Sequence, residues 1–164
     1  ISFVVLCSLI YIVTQQLLGF NDGYMNFSGL DWGNSTVTVI MDWISKNYGF
    51  ANILMATFIA IWAKIFFRKY DYNFFETLIL LYFAMGIQML MFSVLGIIEY
   101  LTQLSVLDAG SSIAIIYVCW AIGQFFDRKK KMNYLKGFLS YILGMISFLI
   151  IAIVCGALID LIVR

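Results

Sequence analysis

An all-α integral membrane bundle of about five transmembrane helices, with one short amphipathic helix in the membrane interface, is the fold class this sequence predicts. Three observations predict it. Hydrophobic residues make up 63% of the 164 residues and charged residues 12%, against about 45–50% and about 25% in ordinary globular chains. A soluble domain of this size has too much surface for its volume to hide that apolar area in one core. The apolar residues also come in long stretches, several of them near the ~20 residues that cross a ~30 Å hydrocarbon core. There is no proline, so any helix bend has to come from glycine or a π-bulge.

The first stretch covers residues 1–20. It lacks a basic start and no small-residue cleavage site follows, so it reads as a helix rather than a signal peptide. The chain opens on Ile1 rather than Met, and a fragment of a longer chain, with the native start of this helix missing, is the expectation. Residues 21–47 are polar and rich in Gly, Asn, Ser and Asp at their start, which reads as loop. Their second half differs. Val37, Ile40, Met41 and Ile44 recur at helical spacing beside Trp32 and Trp43, the pattern of an amphipathic helix at the interface. The alternative is a loop that packs these residues on the bundle. Further spans are expected at residues 48–67, 77–100, 111–126 and 137–163, in one transmembrane domain covering 1–164. The fourth is short and reads alternatively as a re-entrant or tilted segment. The fifth is long enough to tilt or protrude. Gly144 and Gly156 lie inside it but are not four apart, so there is no strict G-x-x-x-G motif. No internal repeat is visible, which argues against a transporter built from inverted halves.

Charge fixes an expected orientation. Arg68 and Lys69 follow the second span, and Arg128, Lys129, Lys130, Lys131 and Lys136 follow the fourth. The opposite loops carry Asp22, Asp31, Asp42, Glu99 and Asp108, with Lys46 the exception. The positive-inside rule then places both basic loops and the N-terminus in the cytoplasm and the C-terminus outside. The expected setting is the bacterial inner membrane. Trp32, Trp43 and Tyr48 would mark the outer interface, and Phe66, Phe67, Tyr70, Tyr72, Phe74 and Phe75 the inner one.

Few residues offer chemistry. The chain has no histidine, so the commonest general base and metal ligand is missing. No Ser/His/Asp or Cys/His set, zinc-ligand spacing or phosphate-binding glycine loop occurs. No catalytic residue, cofactor or metal site is therefore assigned, and a membrane enzyme acting on lipid ranks last among the functions considered. The net charge of +1 and the lack of a basic tail give nucleic-acid binding no support. Cys7, Cys119 and Cys155 all sit in apolar runs and are expected to be small buried hydrophobes. Two glycosylation sequons, Asn26-Phe27-Ser28 and Asn34-Ser35-Thr36, matter only in a glycosylating secretory system.

Polar groups inside a bilayer are costly and each calls for a reason. Lys64 lies near the inner end of the second span, where it is expected to snorkel. Asn52 and Thr57 in the second span, Gln88 in the third and Gln124 in the fourth are expected to make interhelical hydrogen bonds, or else to line a polar cavity. Asp160 is expected to pair with Arg164 one turn later. The turn of residues 68–76 gathers Arg68, Lys69, Asp71, Asn73 and Glu76 with four aromatic rings. Asp71 or Asn73 is placed to cap the helix that follows, and Glu76 to meet the positive end of its dipole. Pairing with Arg68 or Lys69 is the plain account; an ion entrance or docking surface is the sharper one.

The run Arg68-Lys69-Tyr70-Asp71-Tyr72-Asn73-Phe74-Phe75-Glu76, followed by an apolar helix with Leu81-Tyr82, resembles an uncharacterised bacterial multi-pass membrane family, domain of unknown function 3667. Its members show a Tyr-Asn-Phe-x-Glu-His-like turn between two helices; here Thr77 stands where the histidine would be. The resemblance covers residues 48–164. Longer members carry a cysteine-rich zinc ribbon ahead of the helices, which would fit a truncation ahead of Ile1. It implies a bacterial membrane location and brings no activity with it. The function expected is a non-enzymatic membrane subunit or scaffold that binds lipid-embedded protein partners; an immunity-type protein is one variant of it. The segment 128–136 is its candidate contact for anionic lipid or an acidic partner. The competing expectation is a small channel or transporter, oligomeric, using Asn52, Gln88 and Gln124 as lining groups and Asp71 and Glu76 at its mouth.

Overall fold

The computed structural model describes residues 2–18, 35–104 and 106–163. Among them are six α-helices: α1 (Ser2–Leu18), α2 (Thr36–Lys46), α3 (Tyr48–Phe66), α4 (Phe74–Thr102), α5 (Leu107–Asp127) and α6 (Lys131–Val163). The described residues contain no strand. Four helices are long and apolar enough to cross a membrane: α3, α4, α5 from Ala109, and α6. The chain is an all-α membrane-type bundle. The five-span expectation meets four helices of spanning length and one apolar helix, α1, that is shorter at 17 residues.

The pattern of burial is that of a bundle built for lipid. Apolar side chains point both ways. Met55, Ala56, Ile59, Ala60 and Ala63 of α3 face inward with Leu81, Met85 and Met89 of α4, Val118 and Ile122 of α5, and Tyr141 of α6. Leu54, Ile61 and Ile65 of α3, Ile79, Phe83 and Val94 of α4, and Ile150, Val154 and Leu158 of α6 face outward. Apolar faces this extensive mark contact with a membrane or another protein. The alanines of α3 let neighbouring backbones approach, which matters in lipid, where association depends on close packing. Two glycines of α6 mark close approaches to α3 and α2. A Cβ on Gly144 would lie 2.6 Å from the Cα of Ile59 in α3, and one on Gly156 would lie 2.9 Å from the Cα of Val37 in α2.

α4 touches α1, α3 and α5 and runs antiparallel to α3 and α5; α6 packs on α3, α5 and α2. α1 runs parallel to α4, with Phe3 stacked on Phe83 at 5.0 Å and Tyr11 edge-on to Phe92 at 6.4 Å. The starts of α1, α4 and α6 thus lie at the same end of the bundle as the finishes of α3 and α5.

Several boundaries differ from those expected, each with a local cause. α4 starts at Phe74 rather than 77 because Asn73 and Glu76 close a capping box: the Glu76 amide donates to Asn73 Oδ1 at 2.9 Å, and the Asn73 amide to Glu76 Oε2 at 2.7 Å. α5 begins at Leu107 rather than 111, which gives the short fourth span 21 residues. Its first amides are supplied from the preceding helix, since Glu99 Oε2 accepts from both Val106 and Leu107 at 2.8 Å. α6 begins at Lys131 rather than 137 and runs 33 residues, ~50 Å at 1.5 Å per residue. The expected basic loop at 128–136 is therefore a three-residue turn, Arg128, Lys129 and Lys130, running into helix.

The segment 37–44 is helical, as expected, but α2 is docked on the bundle. Its Val37, Met41 and Ile44 are buried while Val39 and Trp43 are exposed. Ser35 caps it, accepting from the Thr38 amide at 3.4 Å. Cys7 and Cys119 are buried, whereas Cys155 is exposed on the flank of α6, unlike its expected burial. Trp32, Asp22, Asp31, Arg164 and both sequon asparagines lie outside the described residues.

Candidate functional site

The turn between α3 and α4 meets the turn between α5 and α6 at one end of the bundle, so the two basic segments of the sequence come together in space. Aromatic packing holds them. Phe67 is buried and stacks on Phe126 with centroids 3.9 Å apart. Tyr70 and Tyr72 each approach Phe126 at 5.6 Å, and Tyr72 meets Phe125 at 4.5 Å. Polar contacts cross the same seam. Asn133, 2% exposed, donates through Nδ2 to the Tyr70 hydroxyl at 2.8 Å and to the Asp127 carbonyl at 3.3 Å. Lys136 Nζ donates to the Phe66 carbonyl at 3.3 Å, which quiets an acceptor left open at the end of α3. Lys64 likewise donates to the Tyr72 carbonyl, so it closes the turn rather than snorkelling freely.

Charge at this end is sorted. Lys130 pairs with Asp127 at 3.2 Å and sits 5.6 Å from the Tyr70 ring centre. The hydrogen bond from Lys130 to Asp127, and then the neighbouring Tyr70, raise the pKa of the Lys130 ammonium. Arg68, Lys69, Asp71 and Glu76 are exposed. The ion pair described here joins Lys130 to Asp127, not Arg68 or Lys69 to a carboxylate. Of the two cap candidates it is Asn73, not Asp71, that closes α4. Arg68, Lys69, Arg128, Lys129 and Lys131 remain as a solvent-facing basic rim.

Beside this rim a groove of about 530 Å³ runs along α4 between α1 and α5, lined by Tyr72, Glu76, Ile79, Leu80, Phe83 and Phe125. The helices α1 and α5 both pack on α4 but, among the described residues, not on each other, so that face of α4 stays open.

A second feature is buried. Asn52 stands fourteen residues before the end of α3 at Phe66, and Gln88 fourteen after the start of α4 at Phe74. In an antiparallel hairpin they share one level, ~21 Å from the turn. Ser8 of α1 lies near this level, against Gly49 one turn before Asn52; a Cβ there would sit 2.3 Å from Ser8 Oγ. All three side chains are 0% exposed, and among the described residues the amide atoms of Asn52 and Gln88 and the Ser8 hydroxyl have no hydrogen-bond partner. Among the described residues, the interhelical bonds expected of Asn52 and Gln88 are therefore not formed. Gln124 does bond between helices: Tyr134 of α6 donates to its Oε1 at 2.9 Å. It does so on the exposed surface near the basic end, away from the buried pair.

The far end carries carboxylates at work. The expected partner of Asp160, Arg164, lies outside the described residues. Asp160 accepts from the Thr36 amide at 2.9 and 3.0 Å and from the Thr36 hydroxyl, which ties the start of α2 to α6. Sequence reading missed this role, and those of Glu99, Asn133 and Lys136, because each partner lies outside helical reach or on another element. A carboxylate within an otherwise apolar helix was the one available signal. Among the described residues, no group of three or more His, Cys, Asp or Glu comes together to hold a metal ion. No family model matches the chain, and no curated protein or solved structure matches it either.

Proposed function

We propose that this chain is a non-enzymatic subunit or scaffold of the bacterial inner membrane that binds a membrane protein partner. The observation that carries the reading is the outer half of α6. In the most apolar window of that helix 17% of residues are buried, against 39–44% in the other three long helices. Ile150, Ile151, Val154, Leu158 and Ile159 are exposed on several sides of it. A helix apolar all round is suited to burial in lipid or among other helices, and among the described residues this one has the smallest buried share of the four candidate spans.

The positive-inside rule adds orientation: the rim of Arg68, Lys69, Arg128, Lys129 and Lys131 in the cytoplasm, the N-terminus on that side and the C-terminus outside. Membership of the domain-of-unknown-function 3667 family is part of the same proposal, supported by the turn that carries the resemblance. The experiment is photo-crosslinking in intact cells from positions Ile151 and Val154. A discrete protein adduct of defined mass is expected from both; adducts to lipid alone would defeat the reading.

A second reading, a small channel or transporter, is favoured by the level of Ser8, Asn52 and Gln88. An unpaired buried polar group costs about 1–3 kcal/mol, and polar groups at membrane depth commonly mark a solute or ion path. A Gln88→Leu chain that keeps full ion or solute flux in reconstituted vesicles would remove that support.

A further inference from the structure

The groove over α4 has a sided chemistry. Its walls are the rings of Tyr72, Phe83 and Phe125 and the side chains of Ile79 and Leu80. Ile79 and Phe83 are each 52% exposed, so the groove opens outward from the bundle rather than into its core. From Glu76 to Phe83 it follows two turns of helix, ~10.5 Å. On the membrane reading above, hydrocarbon fills the stretch from Ile79 to Phe83, because the lining there offers nothing to water and the bilayer offers nothing else at that depth.

The charge at its mouth selects the lipid. Glu76 is the one ionisable carboxylate in the lining. One of its oxygens, Oε2, accepts from the Asn73 amide, and Oε1 carries no described bond, so the carboxylate can receive a further donor. It stands at the first turn of α4, and the turn leading into that helix carries the exposed cations Arg68 and Lys69. A ligand suited to this arrangement has an apolar chain, an ammonium that can donate hydrogen bonds and a phosphate. We propose that the groove seats one acyl chain of a phosphatidylethanolamine-class phospholipid, with its primary ammonium on Glu76 and its phosphate toward Arg68 and Lys69. Phosphatidylcholine carries the charge but no N–H to donate, and phosphatidylglycerol has no cation for the carboxylate.

The test uses the full chain in phosphatidylcholine vesicles containing equal mole fractions of phosphatidylethanolamine and phosphatidylglycerol, with retained lipid counted by native mass spectrometry. The wild-type chain is expected to retain phosphatidylethanolamine over either competitor by about fivefold, the scale of one exposed ion pair. Glu76→Gln keeps the capping box, since glutamine serves at that position as well, and should bring the preference to parity without moving the thermal midpoint. Ile79→Trp fills the groove and should abolish retention of all three lipids. On the wild-type chain, N-acetylated phosphatidylethanolamine, which has no ammonium, should be retained no better than phosphatidylcholine. That arm needs no variant to fold. Equal retention of the three lipids, a preference for phosphatidylglycerol, or an undiminished preference in Glu76→Gln would overturn the proposal. A chain that does not insert into vesicles would defeat the membrane reading itself; one that inserts without the preference defeats only the lipid site.

Discussion

Replacing Gly144 with alanine tests the packing on which the bundle rests. The added Cβ would meet Ile59 at three atoms, Cγ1 at 2.5 Å, Cα at 2.6 Å and N at 2.7 Å. Carbon atoms rest ~3.5–4.0 Å apart, so α3 and α6 must separate by about 1 Å. Two of the three obstacles are backbone, which cannot rotate away. Overpacking of this kind costs about 1–3 kcal/mol, while replacing a mid-helix glycine returns about 0.5–1 kcal/mol. The net expectation is a loss of about 1–2 kcal/mol. Gly86 is the control, because there the new Cβ meets the Phe3 ring, with Cε1 at 2.8 Å, and a side chain near the helix start can move. The assay is thermal or detergent-titrated unfolding of the purified chain, followed by circular dichroism. Gly144→Ala should lower the midpoint clearly more than Gly86→Ala. Equal midpoints, or a stabilised Gly144→Ala, would refute the close approach of α3 and α6.

Two further substitutions follow from the polar contacts. Asp160→Ala removes the acceptor for both the amide and hydroxyl of Thr36; it should cost about 1–2 kcal/mol, the scale of a lost N-cap, and raise hydrogen exchange first in α2. Uniform exchange across all helices would show that α2 does not depend on α6. Gln88→Leu replaces a buried amide without protein partners by a side chain of similar size. It should leave the unfolding midpoint unchanged or raise it by up to about 1–3 kcal/mol of relieved desolvation. A large fall would mean that Gln88 holds a bond, to water or to a neighbour, that stabilises the fold.

Much of the bundle was legible in the sequence, because membrane helices are specified by length and apolarity, and both can be counted. The end of α3 fell within one residue of its expected place for this reason. The starts of α4, α5 and α6 came earlier than expected because their polar first turns do not look like membrane helix. Phe74, Leu107 and Lys131 lie in segments whose helicity depends on capping by Asn73 and Glu99 and on the contacts of Asn133 and Lys136. Such bonds join residues many positions apart. The turn 68–76 was found correctly as a concentration of charge and aromatic rings, but its true partners, Phe125, Phe126 and Asn133, come from the other end of the chain. The meeting of Asn52 and Gln88 at one level was implicit in the hairpin and could have been counted; their lack of partners could not.

The two ends of the bundle use charge for different purposes. At one end, Arg68, Lys69, Arg128, Lys129 and Lys131 are exposed cations. Lys130 and Lys136 at that end do structural duty, on Asp127 and on the Phe66 carbonyl. At the other end, Glu99 and Asp160 each sit on the opening amides of a helix, α5 and α2. Those carboxylates satisfy donors that a helix start leaves open and complement its dipole. The sequence contrast of basic loops against acidic ones therefore mixes two signals. Acidic residues contribute little to orientation in a membrane, and the position of Glu99 among them is accounted for by the opening amides of α5. The cations of the rim have no such duty in the fold. On the proposed positive-inside reading, orientation rests on the exposed rim, while the acidic end carries the connections that hold α2 and α5 in place. The α4 groove lined by Glu76 lies at the same end as the rim, so the proposed lipid seat and the proposed orienting charges share one end of the bundle.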